Sequence, residues 1–147
     1  MKVTVITVGK KHDKDLTVAI EKYQKRLKKF CDFSWVYIPT SNIDSESSAI
    51  ERQLKSDDYV ILLDETGEQI NNNELAEKIE SLQNSSIKQL VFIIGGAYGV
   101  NYSLMGRANI TISFSQLVFP HQLMRLILIE QLYRSYSILS GSDYHHE

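Results

Sequence analysis

The sequence predicts an α/β protein whose mainly parallel sheet carries helices on both faces. Two observations lead to this prediction. Short runs rich in β-branched residues alternate with amphipathic stretches along the whole chain. The composition, 43% hydrophobic and 23% charged, is that of a folded globular protein. Since the 147 residues contain no internal repeat and no low-complexity tract, we expect one domain over residues 1–147.

The first predicted elements are a buried strand and a basic helix. Val3–Val8 is largely β-branched and closes at Gly9, which is typical of a strand. Between Lys14 and Lys29 apolar residues recur every three or four positions, which indicates an amphipathic helix. The opposite face of this helix is basic and carries Lys22, Lys25, Arg26, Lys28 and Lys29.

The next segment is predicted to contain a strand, an irregular connection and a short helix. Phe33–Ile38 reads as a second strand, which Pro39 ends. Thr40–Ser48 is polar and has no periodicity, so we expect an irregular connection there. A short helix is expected around Ile50 and Leu54.

Two further strands end in polar or glycine-rich turns. Tyr59–Leu63 is the third strand and runs into Asp64–Gly67. Gln89–Ile94 is the fourth and runs into the glycine turn Gly95–Gly99. The helix between them is capped by asparagines and has an apolar face formed by Leu75, Ile79 and Leu82.

The carboxyl-terminal part contains a short helix, a strand, a loop and a long helix. We assign Ser103–Arg107 to the helix, Ile110–Phe114 to the fifth strand and Ser115–Phe119 to the loop. Pro120 opens the last helix, His121–Ser140, because the first turn of a helix does not need its missing N–H. This helix is apolar on nearly every side, which indicates either a central core helix or, as we favour, one that also packs against a partner subunit.

Candidate binding residues follow the third, fourth and fifth strands. In open α/β sheets ligands bind beyond the carboxyl ends of strands, so the relevant segments are Leu63–Gly67, Gly95–Gly99 and Phe114–Phe119. The glycine turn lets backbone approach a ligand closely, although such a turn is also common as a purely structural feature. His121 and Arg125 share one helix face beside the loop and are candidates to bind a phosphate or substrate oxygen; local capping or pairing is the alternative.

The remaining candidate functional residues lie near the chain end and at the single cysteine. Tyr144 and His145 offer a ring for stacking and an imidazole that titrates near neutrality, unless the tail is a disordered end. Glu130 and Arg134 are expected to form an ordinary helix ion pair. Cys31 has no second thiol for a disulfide or metal site, and no triad or metal cluster is evident, so we expect no metal.

Three segments together resemble the RlmH family of the SPOUT superfamily, and the similarity covers nearly the whole chain. The Pro120-His121-x-x-x-Arg125 pattern with Glu130-x-x-Tyr133-Arg134 is the most specific part. The three segments are Met1–Lys10, Phe92–Gly96 with Gly99, and Ser113–Ser115 through Phe119–Arg125; the helix pattern Glu130–Arg134 and the closing Tyr144-His145 extend the resemblance.

The resemblance implies a SPOUT fold with a carboxyl-terminal trefoil knot and a homodimer. It further implies methylation of N3 of a pseudouridine in 23S ribosomal RNA, on the assembled ribosome, with S-adenosyl-L-methionine as cofactor. The catalytic candidates that follow are His121, Arg125, Tyr144 and His145. The implied cofactor-binding residues are Leu63, Gly95, Phe114, Ser115, Gln116, Leu117, Val118 and Phe119.

Two departures from the family pattern affect the RNA contact. His146 stands where relatives usually have a basic residue, and Thr40–Ser56 is shorter and more acidic than the corresponding lysine-rich stretch. The net charge of −2 argues against bulk electrostatic binding of free nucleic acid. However, residues 1–30 hold nine Lys or Arg against three acidic residues, so the basic helix is expected to contact the ribosome.

We expect a cytoplasmic protein with no membrane and no DNA partner. No apolar run is long enough to span a bilayer, and residues 1–11 lack the features of a signal peptide. Two other functions stay open at this point. One is a SPOUT methyltransferase acting on another RNA, for example at a ribose hydroxyl; the other is a ribosome assembly factor without catalytic activity.

Overall fold

The computed structural model describes residues 1–146, in which five strands alternate with five helices. Glu147, the last residue of the predicted domain, lies outside the described residues. The elements are β1 (Lys2–Val8), α1 (Lys14–Leu27), β2 (Asp32–Ile38), α2 (Ile43–Arg52), β3 (Tyr59–Gln69), α3 (Asn72–Asn84), β4 (Gln89–Ile94), α4 (Tyr102–Arg107), β5 (Ile110–Ser113) and α5 (His121–Leu139).

The five strands form one parallel sheet in the order β2-β1-β4-β3-β5. The central strands β1 and β4 are buried along almost their whole length. Because both faces of such a sheet are covered, its strands are continuous apolar runs rather than alternating ones. The carboxyl ends of β4, β3 and β5 therefore lie side by side at one edge of the sheet.

Helices cover both faces of the sheet, as the sequence predicted. On one face, α1, α3 and α5 pack over a core that includes Ile61 and Phe92. On the other, α2 and α4 pack over Leu62 and Ile93. The predicted α/β class is thus confirmed, whereas the trefoil knot stays a prediction.

Helix α5 lies between α1 and α3, which explains why it is apolar on so many sides. Tyr133 packs against Phe30 and Tyr23 at the α1 end, with ring centroids 6.3 and 6.1 Å away. On the α3 side, Asn72 donates a 2.6 Å hydrogen bond to Gln131. A narrow outer stripe with half-buried apolar side chains is left at Leu123, Ile127 and Ile138.

The prediction of an irregular connection over Thr40–Ser48 is wrong, because helix α2 forms from Ile43 onward. It begins at Ile43 and ends at Arg52, so Leu54 lies outside it. Asn42 caps its first turn by accepting a 2.8 Å hydrogen bond from the Ser45 amide. The serine-rich sequence has a low intrinsic helix propensity, and the cap and the burial of one face against the sheet outweigh it.

Strand β3 is longer than predicted because its pairing with β5 resumes after an interruption. Both Leu63 and Glu68 are register partners of Ile112, so Asp64–Gly67 is an insertion in the ladder. A β-carbon on Gly67 would lie 2.8 Å from backbone atoms of Thr111 and Ile112, which leaves room only for glycine. The insertion carries Asp64 and Glu65 to the sheet edge where the candidate site lies.

Candidate functional site

A pocket of about 670 Å³ lies beyond the carboxyl ends of β3, β4 and β5. This volume is within the usual range for small-molecule sites. The pocket wall comes from the three segments that the sequence singled out, together with the start of α5. Its lining residues run over Leu63–Glu65, Ile94–Gly99, Phe114, Ser115 and Leu117–His121, with Met124.

The glycine turn after β4 is too tightly packed for side chains. A β-carbon on Gly95 would lie 3.0 Å from Val100 Cγ1 and 3.1 Å from the Gly99 carbonyl carbon. One on Gly96 would lie 2.7 Å from Glu46 Oε1, and Gly99 itself has a φ of +79°. The glycines therefore shape the turn and also expose its backbone to the pocket, while binding of a ligand by that backbone stays a prediction.

The loop after β5 is held by its own serines. Ser113 Oγ donates a 2.7 Å hydrogen bond to the Ser115 carbonyl, and the Leu117 amide donates one of 2.9 Å to Ser115 Oγ. The next two side chains, Leu117 and Val118, are 71% and 76% exposed at the pocket rim. Of the eight predicted cofactor residues, seven line the pocket; Gln116 does not.

His121 lies at the pocket edge and Arg125 lies behind it. His121 lines the pocket from the first turn of α5. Its Nε2 is 3.4 Å from the position that a β-carbon on Gly9 would take, so the β1–α1 connection reaches the same edge. Arg125 does not line the pocket and has no exposed surface.

Arg125 uses its guanidinium to hold the end of β1 and the connection that follows. No ion pair within 4 Å involves it among residues 1–146. It donates to Val8 O at 3.0 Å, to Lys10 O at 2.7 Å and to Thr7 Oγ1 at 3.1 Å. Its charge is thus stabilised by backbone and hydroxyl dipoles, and burial lowers its pKa.

His12, which the sequence analysis missed, completes this buried cluster. Arg125 Nη1 lies 3.4 Å from His12 Nδ1, and Tyr37 Oη lies 3.3 Å from Nε2. The imidazole also packs edge-on against Trp35, with ring centroids 4.6 Å apart. Burial, assisted by the charge of Arg125, lowers the pKa of His12 to about 4, so the ring is neutral at physiological pH. A lone histidine after a strand gave no sequence signal for this role.

The predicted catalytic residues of the tail lie elsewhere, on the outer face of α5. Tyr144 Oη donates a 3.0 Å hydrogen bond to Glu130 Oε1, which also forms the expected ion pair with Arg134 at 2.6 Å. Arg134 further lies 3.0 Å from His145 Nδ1 and stacks 4.8 Å above the Tyr144 ring. Glu130 is nine residues along the helix from His121, about 14 Å at 1.5 Å per residue. His121 and the tail therefore do not meet within one chain.

Other classes of site find little support in the described residues. Within residues 1–146 no group of three His, Cys, Asp or Glu side chains is arranged to hold a metal ion. None of the helices described there combines the length and apolar character needed to cross a bilayer. Cys31 is half-buried, and burial raises its pKa to about 11, which keeps the thiol protonated.

Known proteins similar to this chain match it from end to end. Residues 1–145 match the family described as "Predicted SPOUT methyltransferase". A ribosomal RNA large subunit methyltransferase H of Natranaerobius thermophilus is 40% identical, over 99% of this chain and 100% of its own length. A putative protein of the same name from Methanococcus vannielii is 37% identical over 99% of both chains. The pocket at the sheet edge is accordingly found in a chain that belongs to the SPOUT methyltransferase family.

Proposed function

We propose that this protein transfers the methyl group of S-adenosylmethionine to N3 of a pseudouridine in 23S ribosomal RNA, on the assembled ribosome. The observation that carries the proposal is the convergence of the β3 end, the glycine turn and the β5 loop on one pocket. The relatives that match from end to end are named as ribosomal RNA methyltransferases, which supports the RNA substrate. A cytoplasmic location belongs to the same proposal.

The residues of the pocket fit the cofactor. The apolar side chains Phe114, Leu117, Val118 and Phe119 can cover an adenine ring, and the glycine turn offers backbone at close range. A carboxylate, Asp64, is available to a hydroxyl or a positive group. When bound, the cofactor supplies a methyl group already activated by the sulfonium, so the protein mainly has to align the acceptor nitrogen with it.

We assign different roles to the predicted catalytic residues. His121 lies at the pocket edge and can accept a hydrogen bond from the acceptor base or hold a water that does. Arg125 is a positioning residue, because it is buried and holds the β1–α1 connection beside His121. The proton on N3 leaves as the methyl arrives, and His145, or water held near His121, is our candidate acceptor.

A homodimer would bring the tail to a pocket. The outer stripe of α5 has half-buried apolar side chains at Leu123 and Ile127, and the loop before this helix adds the exposed Leu117 and Val118. If two such faces pair about a twofold axis with the helices antiparallel, the tail of one protomer lies beside the start of its partner's α5. Sedimentation of wild type and Ile127→Glu tests this, and a wild-type monomer at micromolar concentration would refute it.

The ribosome contact is assigned to α1. Its exposed lysines Lys14, Lys22 and Lys25 lie eight and three residues apart, so they share one face over about 17 Å, and the exposed Lys29 follows just beyond the end of the helix. Among residues 1–146 no carboxylate lies within 4 Å of any of them. Unpaired cations in a row suit a phosphate backbone, which releases its counterions on binding.

The decisive experiment is transfer of labelled methyl groups to ribosomes from a strain that lacks the gene. We expect label in the large-subunit RNA, with mass mapping to N3 of one pseudouridine, and no label from Gly95→Val, whose side chain would press on Val100 and the Gly99 backbone and distort the glycine turn. Label at a ribose or in another RNA would replace the proposed substrate. Binding to ribosomes without any transfer would instead identify an assembly factor.

A further inference from the structure

The pocket is lined by acidic residues, Asp64 and Glu65, but by no lysine or arginine among the residues described. Within residues 1–146 the ion pair found at 4 Å or less joins Glu130 and Arg134. Neither Asp64 nor Glu65 therefore forms an ion pair with a basic residue there. A carboxylate on a pocket wall without such a partner favours a positively charged ligand.

Asp64 is held in a defined orientation beside the glycine turn. Its Oδ2 accepts hydrogen bonds from the Thr66 amide, at 3.0 Å, and from the Thr66 hydroxyl. Its Oδ1 lies 4.0 Å from the position that a β-carbon on Gly99 would occupy, and Gly99 also lines the pocket. Two bonds to the same residue leave the other oxygen next to the glycine turn.

The methyl donor and its product differ in charge. S-adenosylmethionine carries a sulfonium, an ammonium and a carboxylate, and hence one net positive charge. When the methyl passes to the acceptor nitrogen, the sulfonium becomes a neutral thioether and the nitrogen releases its proton. S-adenosylhomocysteine therefore has no net charge, and the pocket loses one positive charge in each turnover.

Resting on the proposed function, we propose that Asp64 makes the pocket selective for the charged donor over the neutral product. Before transfer the sulfonium offsets the negative charge of the pocket wall. After transfer this attraction is gone, so the chemical step itself weakens the hold on the spent cofactor. Asp64 thus acts as a specificity-determining residue that favours exchange of product for fresh donor.

The test measures binding by calorimetry without RNA, using S-adenosylmethionine, S-adenosylhomocysteine and sinefungin, an analogue with an amine in place of the sulfonium. The variants are Asp64→Asn, which keeps the shape and an oxygen for Thr66, and Glu65→Gln. Glu68→Gln is the matched control, because Glu68 is exposed on the same strand and does not line the pocket.

We expect Asp64→Asn to weaken binding of the donor and of sinefungin by about tenfold and that of the product by less than about twofold. Glu65→Gln should act in the same direction more weakly, since its side chain is exposed. Equal losses for donor and product, or no loss for either, overturn the inference while the proposed function stands. Failure of the wild type to bind any of the three overturns both.

Discussion

The two halves of α5 each carry an arginine, and the two residues are used in opposite ways. Arg125 is fully buried and donates to Val8 O and Lys10 O, both of which belong to β1 or the connection after it. Arg134 is one quarter exposed and pairs with side chains, Glu130 and His145. Backbone partners fix a guanidinium rigidly, whereas partners on a surface can rearrange. The amino-terminal half thus supports the pocket, and the carboxyl-terminal half presents the tail.

The largest difference should appear in stability. Arg125→Met leaves the buried carbonyls of Val8 and Lys10 without their donor and should lower the free energy of unfolding by about 3–5 kcal/mol. Arg134→Met is the matched control and should cost less than about 1 kcal/mol, because its ion pair is partly exposed. Urea unfolding of both variants measures the difference, and similar losses would remove the distinction between the two halves.

Low pH should reduce the stability of the fold around Arg125, because His12 becomes protonated. The unfolded chain protonates this residue below a pH of about 6.5, whereas its pKa in the folded protein is about 4. Stability from the neutral ring is therefore complete above pH 6.5 and decreases as the pH falls toward 4, by about 3 kcal/mol. Unfolding of wild type and His12→Gln over pH 4–7 tests this: the variant should lose most of the pH dependence. An unchanged slope would mean that other groups cause it.

The tail, residues 144–147, should be dispensable for folding but not for methyl transfer. Deleting residues 144–147 should leave S-adenosylmethionine affinity within a few-fold, because no described tail residue lines the pocket. Methyl transfer to ribosomes should fall about a hundredfold, the typical loss for a positioned acid or base. Arg134→Met should reproduce part of this loss by releasing the Tyr144 ring. Full activity of the truncated protein would transfer the catalytic role to His121.

A smaller effect is expected from α1, which lies outside both halves of the comparison. Replacing Lys22, Lys25, Arg26 and Lys29 by Glu should weaken ribosome association by tenfold or more at low salt and flatten its dependence on salt. Cofactor affinity should not change, since none of these side chains lines the pocket. Filter binding at several salt concentrations measures the slope; a parallel loss of cofactor binding would indicate misfolding.

The parts of the site that depend on local sequence patterns were predicted. The glycine turn and the loop before Pro120 were identified because both directly follow apolar strands, and the ends of such strands converge in a parallel sheet. Asp64 was seen as part of a turn, but its orientation depends on the insertion in β3, which needs the register against β5. Tyr144 and His145 were singled out by their ring and imidazole and again by the resemblance, and the structure places them away from the pocket of their own chain.

Local sequence patterns are enough to predict the alternation of strands and helices, the cover on both sheet faces and the three segments at the sheet edge. These follow from periodicities of two and 3.6 residues and from glycine and proline, all of which act within a few positions. The burial of Arg125 against β1, the neutral ring of His12 and the place of Asp64 beside the glycine turn depend on long-range packing. Arg125 and its partners at the end of β1 are more than 110 residues apart along the chain, so their contact exists only once the sheet has formed.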